Sequence, residues 1–591
     1  MDSRSSSPVE SEYPEMEPHE LWGEHKRPSD FVLHYVKLFG GHQGDWEPKS
    51  MDELDRCFRM VRENKDKVSV SELETMVRSA RTWQLFDHFA RDSLGLIPHF
   101  MELLRLYCEE NWLFDRYYGL LCFQLLTSVM LAGIINNSDK REHAFKEIQK
   151  RSGGSSDIAL NVAGYGGAMM LGALESYTKH RENLLSTFFV TSSLEGEYVL
   201  LPGLGGFHEK DALWLLDELW ELRKPFVILC AGMSGMMPGW AVLFTAMWRH
   251  IKRNNSALLL RRLRNLLLRY ALTAIEPEFK VVCNIVSVIE EQMPSTTIGY
   301  EELPPVDILD VESMICMFKL YLESEKHGRP SSDMLCFPFA MVYHNALTTI
   351  PDQAHHFLAA VIECVWETLG KADSEYALRK RMLEAFDYAV NSIMSMCSSV
   401  LVQYDRLQKS RRTASAIWTK LLRDVNMLEL VGRLCSIAMV SSGEGLLVSH
   451  EKFEDLAKSI RHFMDNLKGV TQIHELRSLD DLDYTWNRVL RYIDVQLSLY
   501  PLGGSIQHRI HVCRSIWFDV GAVFKFEQAT CQQHRCMNPR CPDPLADGGA
   551  QYACMRCCWV HYCSPRCQSS HWDSTFVSAH YRECMSLNAK H

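Results

Sequence analysis

The sequence predicts a mainly α protein: a large, irregular, solenoid-like helical body followed by a small C-terminal segment that apolar packing alone cannot hold. Three observations carry this expectation. Apolar residues recur at helical spacing through the middle of the chain, while the alternation that marks strands is scarce. The helical stretches, roughly 15–25 residues each, are parted by short Gly- and Pro-containing breaks, which suits stacked helices better than a single bundle. Nine of the twenty cysteines fall after residue 530.

The elements follow in chain order. Residues 1–30 are acidic and carry four prolines with almost no aliphatic pattern, which predicts a disordered tail. The stretch MDSRSSSPVESEYPEMEPHE has neither an apolar h-region nor an amphipathic Arg-rich presequence, so neither secretion nor mitochondrial import is expected. The helical body is expected over 31–528. Met51 to Asn64 reads as an amphipathic helix with Met51, Leu54, Phe58 and Val61 on one face, and Ser69 with Glu72 three residues on forms a capping box opening the next. Two uncharged stretches, Tyr117 to Ser138 and Pro225 to Trp248, approach the length of a membrane span. The first ends in an Asn-Asn-Ser stop, and Gly232, Ser234, Gly235, Pro238 and Gly239 break the second, so both are expected as buried core helices.

From Ser256, Leu259, Leu260, Leu263, Leu266, Leu267 and Tyr270 share a face, with Arg261, Arg262, Asn265 and Arg269 opposite. Such a basic face suits an acidic membrane or a calmodulin-like partner, but it is more commonly the solvated side of a packed helix. Further helices are expected at His355–Gly370, Glu375–Gln408, Thr413–Met439, His450–Leu467 and Ile506–Phe526. Breaks are expected at 202–206, 304–305, 327–330 and 441–445.

Composition narrows the function. With 47% hydrophobic and 23% charged residues the chain can bury a sizeable core, and a formal charge of -11 disfavours a general phosphate-binding surface. Eleven cysteines are scattered singly among apolar neighbours, the pattern of free core thiols in a reducing, intracellular compartment, cytoplasm or nucleus.

The chemistry legible in the letters lies at 531–588. The run is Cys536-x4-Cys541, Cys554-x2-Cys557, Cys563-x3-Cys567 and His580-x3-Cys584: seven thiolates and one imidazole, in four pairs whose short loops each present two ligands. That set fits two tetrahedral zinc ions, Zn(2+), each fully ligated by protein and therefore structural rather than catalytic. The segment also holds Pro539, Pro542, Pro544, Gly548 and Gly549, so it buries little core and metal would supply its folding free energy. Spacing alone permits sequential or interleaved pairing. Cys531, His534 and Cys558 lie close enough to be read as substitute ligands, whereas His561 and His571 read as exposed or packing residues.

Cys554-Met-Arg-Cys557-Cys-Trp-Val-His-Tyr562-Cys563-Ser-Pro-Arg-Cys567-Gln568-x3-Trp572, closing on His580-x3-Cys584, resembles the MYND-type zinc finger, and the Y-C-S-x-x-C-Q-x3-W core is its most distinctive part. The long helical part with a finger after it is similar to large fungal proteins of that layout. The resemblance implies interleaved ligands, with Cys536, Cys541, Cys563 and Cys567 on one zinc and Cys554, Cys557, His580 and Cys584 on the other. It also implies docking of a proline-rich peptide at Gln568 and Trp572, the latter serving as a platform for an extended proline segment. Trp572 reads equally as packing against the zinc knuckle. The chain departs from the family in the x4 spacing of its first pair, in Met555 where a small residue is usual, and in an apparent insertion over Asp573–Ala579.

No catalytic motif accompanies the finger. There is no methyltransferase N-H-S-C element, no G-x-S-x-G, no phosphate-binding G-x4-G-K-[ST], no H-E-x-x-H, no deaminase P-C-x2-C set and no RING-type C-x-H-x2-C. A non-enzymatic adaptor or protein–protein interaction protein is the expectation. The alternative is an enzyme whose site in the helical body has no readable motif. Direct nucleic-acid binding is not expected: residues 531–591 carry six Lys/Arg against four Asp/Glu and no clustered arginine helix. No membrane partner is expected either.

Overall fold

The computed structural model describes residues 19–23, most of 50–323, parts of 349–366, 419–470, 480–499 and 505–526. In the C-terminal segment it describes 536–538, 541, 550–557, 560–572, 580–581 and 584. The expected helices at Glu375–Gln408 and over most of His355–Gly370, and the breaks at 304–305 and 327–330, lie outside the described residues.

The chain is mainly helical, as expected, and divides into two compact units, one of residues 1–330 and 337–345, the other of 331–336 and 346–591. The helices expected as one body over 31–528 are therefore shared between two units, and the C-terminal segment belongs to the second.

The first unit opens with α1 (Met51–Glu63), α2 (Val70–Arg81), α3 (Trp83–Asp92) and α4 (Ile97–Cys108). Ser50 caps α1 through a reciprocal bond pair with Glu53, and Ser69 with Glu72 forms the expected box on α2. On α1 the buried face is Leu54, Cys57, Phe58 and Val61; Met51, expected there, is exposed because it sits in the first turn, ahead of the core. Then come α5 (Tyr117–Asn136), α6 (Arg141–Ser152) and α7 (Ala159–His180). Helix α5 is long and apolar enough to cross a membrane, yet its whole apolar window is buried within the protein, contacted by α2, α3, α4 and α10 (Trp240–Asn254). Non-sequential packing recurs in the unit: the most extensive helix pairing joins α7 to α12 (Glu276–Gln292).

A small antiparallel sheet, β1 (Thr191–Leu194), β2 (Glu197–Leu200) and β3 (Phe207–His208), precedes α8 (Glu209–Glu221) and α9 (Arg223–Met233). The strands are too short to leave an alternation in the sequence. The break at 202–206 is the tight link between β2 and β3, where Gly205 has φ +92 and a Cβ would stand 2.7 Å from Pro98. The Pro225 to Trp248 stretch divides between α9 and α10, as the glycines predict. At the head of α10, Gly239 has φ +100 and leaves a Cβ only 2.1 Å from the Thr127 carbonyl of α5, so no other residue fits.

The unit ends with α11 (Ala257–Ala271), α12 (Glu276–Gln292) and α13 (Ile308–Glu323). On α11 three arginines pair within the chain. Arg262 bonds Asp217, Arg264 pairs with Glu290, and Arg269, expected at the surface, is buried in a bidentate pair with Asp310 at 2.6 and 2.8 Å. Residues 19–23, expected as part of the disordered tail, are docked: Trp22 meets Tyr107 edge-on at 5.4 Å, the Val70 amide donates to the Leu21 carbonyl, and Arg116 donates to the Gly23 carbonyl. The apolar indole explains the difference, since it finds an aromatic seat that acidic composition does not reveal.

The second unit contains α14 (Met427–Met439), the hairpin β4 (Ser441–Ser442) and β5 (Gly445–Leu446), α15 (His450–Val470), α16 (Asp480–Leu499) and α17 (Ser505–Phe524). The helix expected over Thr413–Met439 breaks at Asn426, whose φ of 52 is left-handed, a conformation asparagine tolerates. Helices α14, α16 and α17 pack together around Trp486 and Trp517, whose indole N–H groups each donate 2.8 Å to the other's backbone carbonyl. The described cysteines are free thiols, most of those in the helices buried.

Candidate metal centre

The C-terminal segment is built on a two-residue hairpin and one short helix. Strand β6 (Tyr552–Ala553) pairs with β7 (His561–Tyr562), Tyr552 opposite Tyr562, and the Cys554 amide closes the turn by donating to the Val560 carbonyl at 2.8 Å. The hairpin hands one thiol pair to each end: Cys554 and Cys557 leave β6, Cys563 follows β7. Helix α18 (Pro565–Trp572) then starts with Ser564 as its cap, the hydroxyl accepting from the Cys567 amide at 3.2 Å, and with proline at the first position. One turn of helix brings Cys567 back over Cys563, their sulfurs 3.6 Å apart.

The eight predicted ligands gather into two groups: Cys536, Cys541, Cys563 and Cys567, and Cys554, Cys557, His580 and Cys584, with ligand atoms in each group within 4.8 Å of one another. The grouping is interleaved, which spacing alone left open. In the first group Cys541 and Cys563 sulfurs lie 3.5 Å apart; in the second Cys554 and Cys584 lie 3.9 Å apart, and Cys557 sulfur is 3.4 Å from His580 Nε2. A disulfide needs about 2.0 Å. The edge of a zinc tetrahedron, with Zn–S near 2.3 Å, is about 3.8 Å, and a sulfur–imidazole edge is about 3.6 Å. The residues present fit metal ions of that size.

Electrostatics point the same way. In the second group Cys554 is pulled down to about 3, chiefly by the Cys557 thiol and also by His580 and by the Cys557 and Arg556 amides, while Cys584 is pushed up to about 11 by burial and then by the Cys554 charge. Hydrogen bonds favour the first thiolate, while burial and that first charge oppose the next, a conflict a bound cation would resolve.

A compact interior joins the two groups. Tyr562, fully buried, places its hydroxyl 3.1 Å from His571 Nδ1, and His571 stacks on His580 at 5.6 Å. Of the two roles expected for His561 and His571, exposed or packing, both take the second: they are buried and lie outside the ligand groups. Asn538, not singled out in the sequence, pins the long first loop: its amide reaches the Cys567 carbonyl at 3.1 Å and Ser570 Oγ at 2.6 Å. An asparagine two residues after a cysteine ligand is the signal that could have found it. Gln568 and Trp572 lie one turn apart on α18, both half-buried; the Trp572 ring meets His580 edge-on at 5.8 Å and carries the Arg556 guanidinium at 5.6 Å. Cys531, His534, Cys558 and Asp573–Ala579 lie outside the described residues.

In the first unit, His88 Nε2 stands 2.8 Å from Asp55 and 3.1 Å from Asp92, a partly exposed polar contact tying α1 to α3.

No family model matches the chain, and no curated protein matches it. Among solved structures it is similar to a circular tandem repeat protein with novel repeat topology and enhanced subunit contact surfaces, at 12% identity and a TM-score of 0.22, over 84% of this chain and 98% of that one.

Proposed function

We propose that this is a non-enzymatic adaptor whose C-terminal segment is a MYND-type finger, holding two zinc ions and recruiting a protein partner through a proline-rich segment. The observation that carries the reading is the pair of interleaved four-ligand groups at tetrahedral edge distances. Bound zinc would neutralise the crowded thiolates and fix the loops; four protein donors per group leave no open position for a substrate. Trp572 offers a half-buried aromatic face beside the Gln568 amide, the combination that receives an extended proline segment and bonds its backbone. The nearly balanced charge of the segment argues for a peptide rather than nucleic acid.

Metal analysis of the purified chain is expected to return two zinc ions. A proline-rich peptide library presented to the full chain should yield ligands whose capture is lost after chelation. One zinc or none would overturn the finger assignment. Two zinc ions with no peptide captured would overturn the docking role alone.

A further inference from the structure

The loop of the second candidate group is connected to the helices of its own unit at the Arg556–Cys557 peptide bond. Arg433, on α14, donates from Nη1 to the Arg556 carbonyl at 2.9 Å. That carbonyl shares a peptide unit with the Cys557 N–H, and the Cys557 N–H in turn bonds the Cys554 sulfur. A guanidinium on the oxygen side polarises the amide and strengthens its N–H as a donor to the thiolate. Arg433 is itself held: its Nε bonds Glu429 at 3.0 Å, and Glu429 also pairs with the largely buried Arg488 of α16. Gln496 of α16 adds a weak contact to Met555 Sδ at 3.7 Å on the same loop.

We propose that Arg433 is a positioning residue of the second metal group, holding the Arg556–Cys557 peptide against the Cys554 sulfur, so that metal occupancy there and the packing of α14 on α16 favour each other. The finger is then a metal-dependent part of the second unit rather than an appended module. This inference rests on the zinc reading above. Outer-shell partners of this kind typically change metal affinity about 10–100-fold, and linkage makes the effect reciprocal.

The test uses the full chain with zinc competed by a chromophoric chelator and far-UV melting with and without zinc. Cobalt(II) absorption tells the second group, with its imidazole, from the all-thiolate first group. Arg433→Ala should weaken the second group alone, about tenfold or more, and shrink the rise in melting temperature that zinc gives the wild type. Arg433→Lys, which keeps a donor but not the fork that also grips Glu429, should fall between, and covers the case in which the alanine variant fails to fold. Arg566→Ala, an exposed charge on α18, should change neither group. Two zinc ions bound with wild-type affinities in both Arg433 variants, or equal weakening of both groups, would overturn the inference while leaving the finger standing. A wild-type chain that binds no metal would remove both.

Discussion

Two fully buried polar clusters, Arg269 with Asp310 in the first unit and Cys554, Cys557, His580 and Cys584 in the second, solve the same problem in opposite ways. Arg269 and Asp310 have opposite charges, and their two bonds at 2.6 and 2.8 Å, with the Arg223 carbonyl at 3.1 Å, compensate most of what burial costs. The four candidate ligands include no carboxylate–guanidinium pair, and on the proposed reading a bound cation supplies the compensation. Around the ion pair stand helices with thick apolar faces, Leu263, Leu266 and Leu267 among them. Among the described residues, the apolar side chains around the candidate ligands are Tyr552, Val560, Tyr562 and Trp572. A region with a deep core holds an internal ion pair as one contribution among many; on the proposed reading the C-terminal region depends on a bound metal instead.

Breaking the metal side should have the largest effect. Cys563→Ser removes a thiolate from the first group, and a structural site contributes on the order of 10 kcal/mol. The hairpin and α18 should lose protease resistance and metal, while the far-UV helical signal of the first unit stays. Loss of that unit's helicity in the variant would erase the contrast between the regions. A matching change, Cys554→Ser, should in addition lower the melting temperature of the second unit, because its loop is tied to Arg433.

On the helical side, Arg269→Ala leaves Asp310 with the Val306 amide but no cation, and should destabilise the first unit by about 3–5 kcal/mol, the usual cost of breaking a buried pair. Urea unfolding measures it. The zinc count should not move, and a change in it would show that the two clusters are not independent.

A second buried carboxylate sharpens the comparison through pH. Glu278, wholly enclosed, is pushed up to about 7 by burial; the Tyr270 hydroxyl and the Gly239 and Ala241 amides work against that rise, and Cys230 lies nearby. A folded value above the unfolded one means the fold prefers the protonated acid. Its contribution is therefore complete below about 4.5 and lost as pH rises through about 7, roughly 3 kcal/mol in all. Glu278→Gln should flatten the fall in first-unit stability across that window. A slope unchanged in the variant would assign the pH dependence elsewhere.

The fold and the site were legible to different depths, for physical reasons. The Ser69–Glu72 box needs only neighbours three apart, and it is present as read. Arg269 was placed on the wrong side of α11 because periodicity reports a helical face and knows nothing of a carboxylate forty-one residues on. The three-stranded sheet escaped notice because two to four residues cannot establish an alternation. Trp22 was lost in an acidic stretch because composition averages away a single aromatic anchor. The eight ligand candidates were readable since two donors from one short loop are a local matter. Their interleaving depends on the β6–β7 hairpin, which spacing does not encode. Arg433 was invisible for the same reason: it acts on a carbonyl contributed from far along the chain.

The smallest effect is also the one that separates binding from packing within the finger. Trp572 touches His580 at 5.8 Å and Tyr581 at 6.3 Å, so part of its ring supports the second metal group, while the rest remains accessible beneath Arg556. Truncating an aromatic anchor typically costs about 2 kcal/mol, near thirtyfold in affinity. Trp572→Ala is therefore expected to reduce capture of a proline-rich peptide by about that factor with both metals retained. Trp572→Phe, which preserves the edge contact to His580 with a smaller face, should recover stability more fully than binding. If the alanine variant instead releases zinc from the second group and becomes protease-sensitive, the indole is a packing residue. Peptide capture and metal count both unchanged would remove Trp572 from either role and leave Gln568 without its platform.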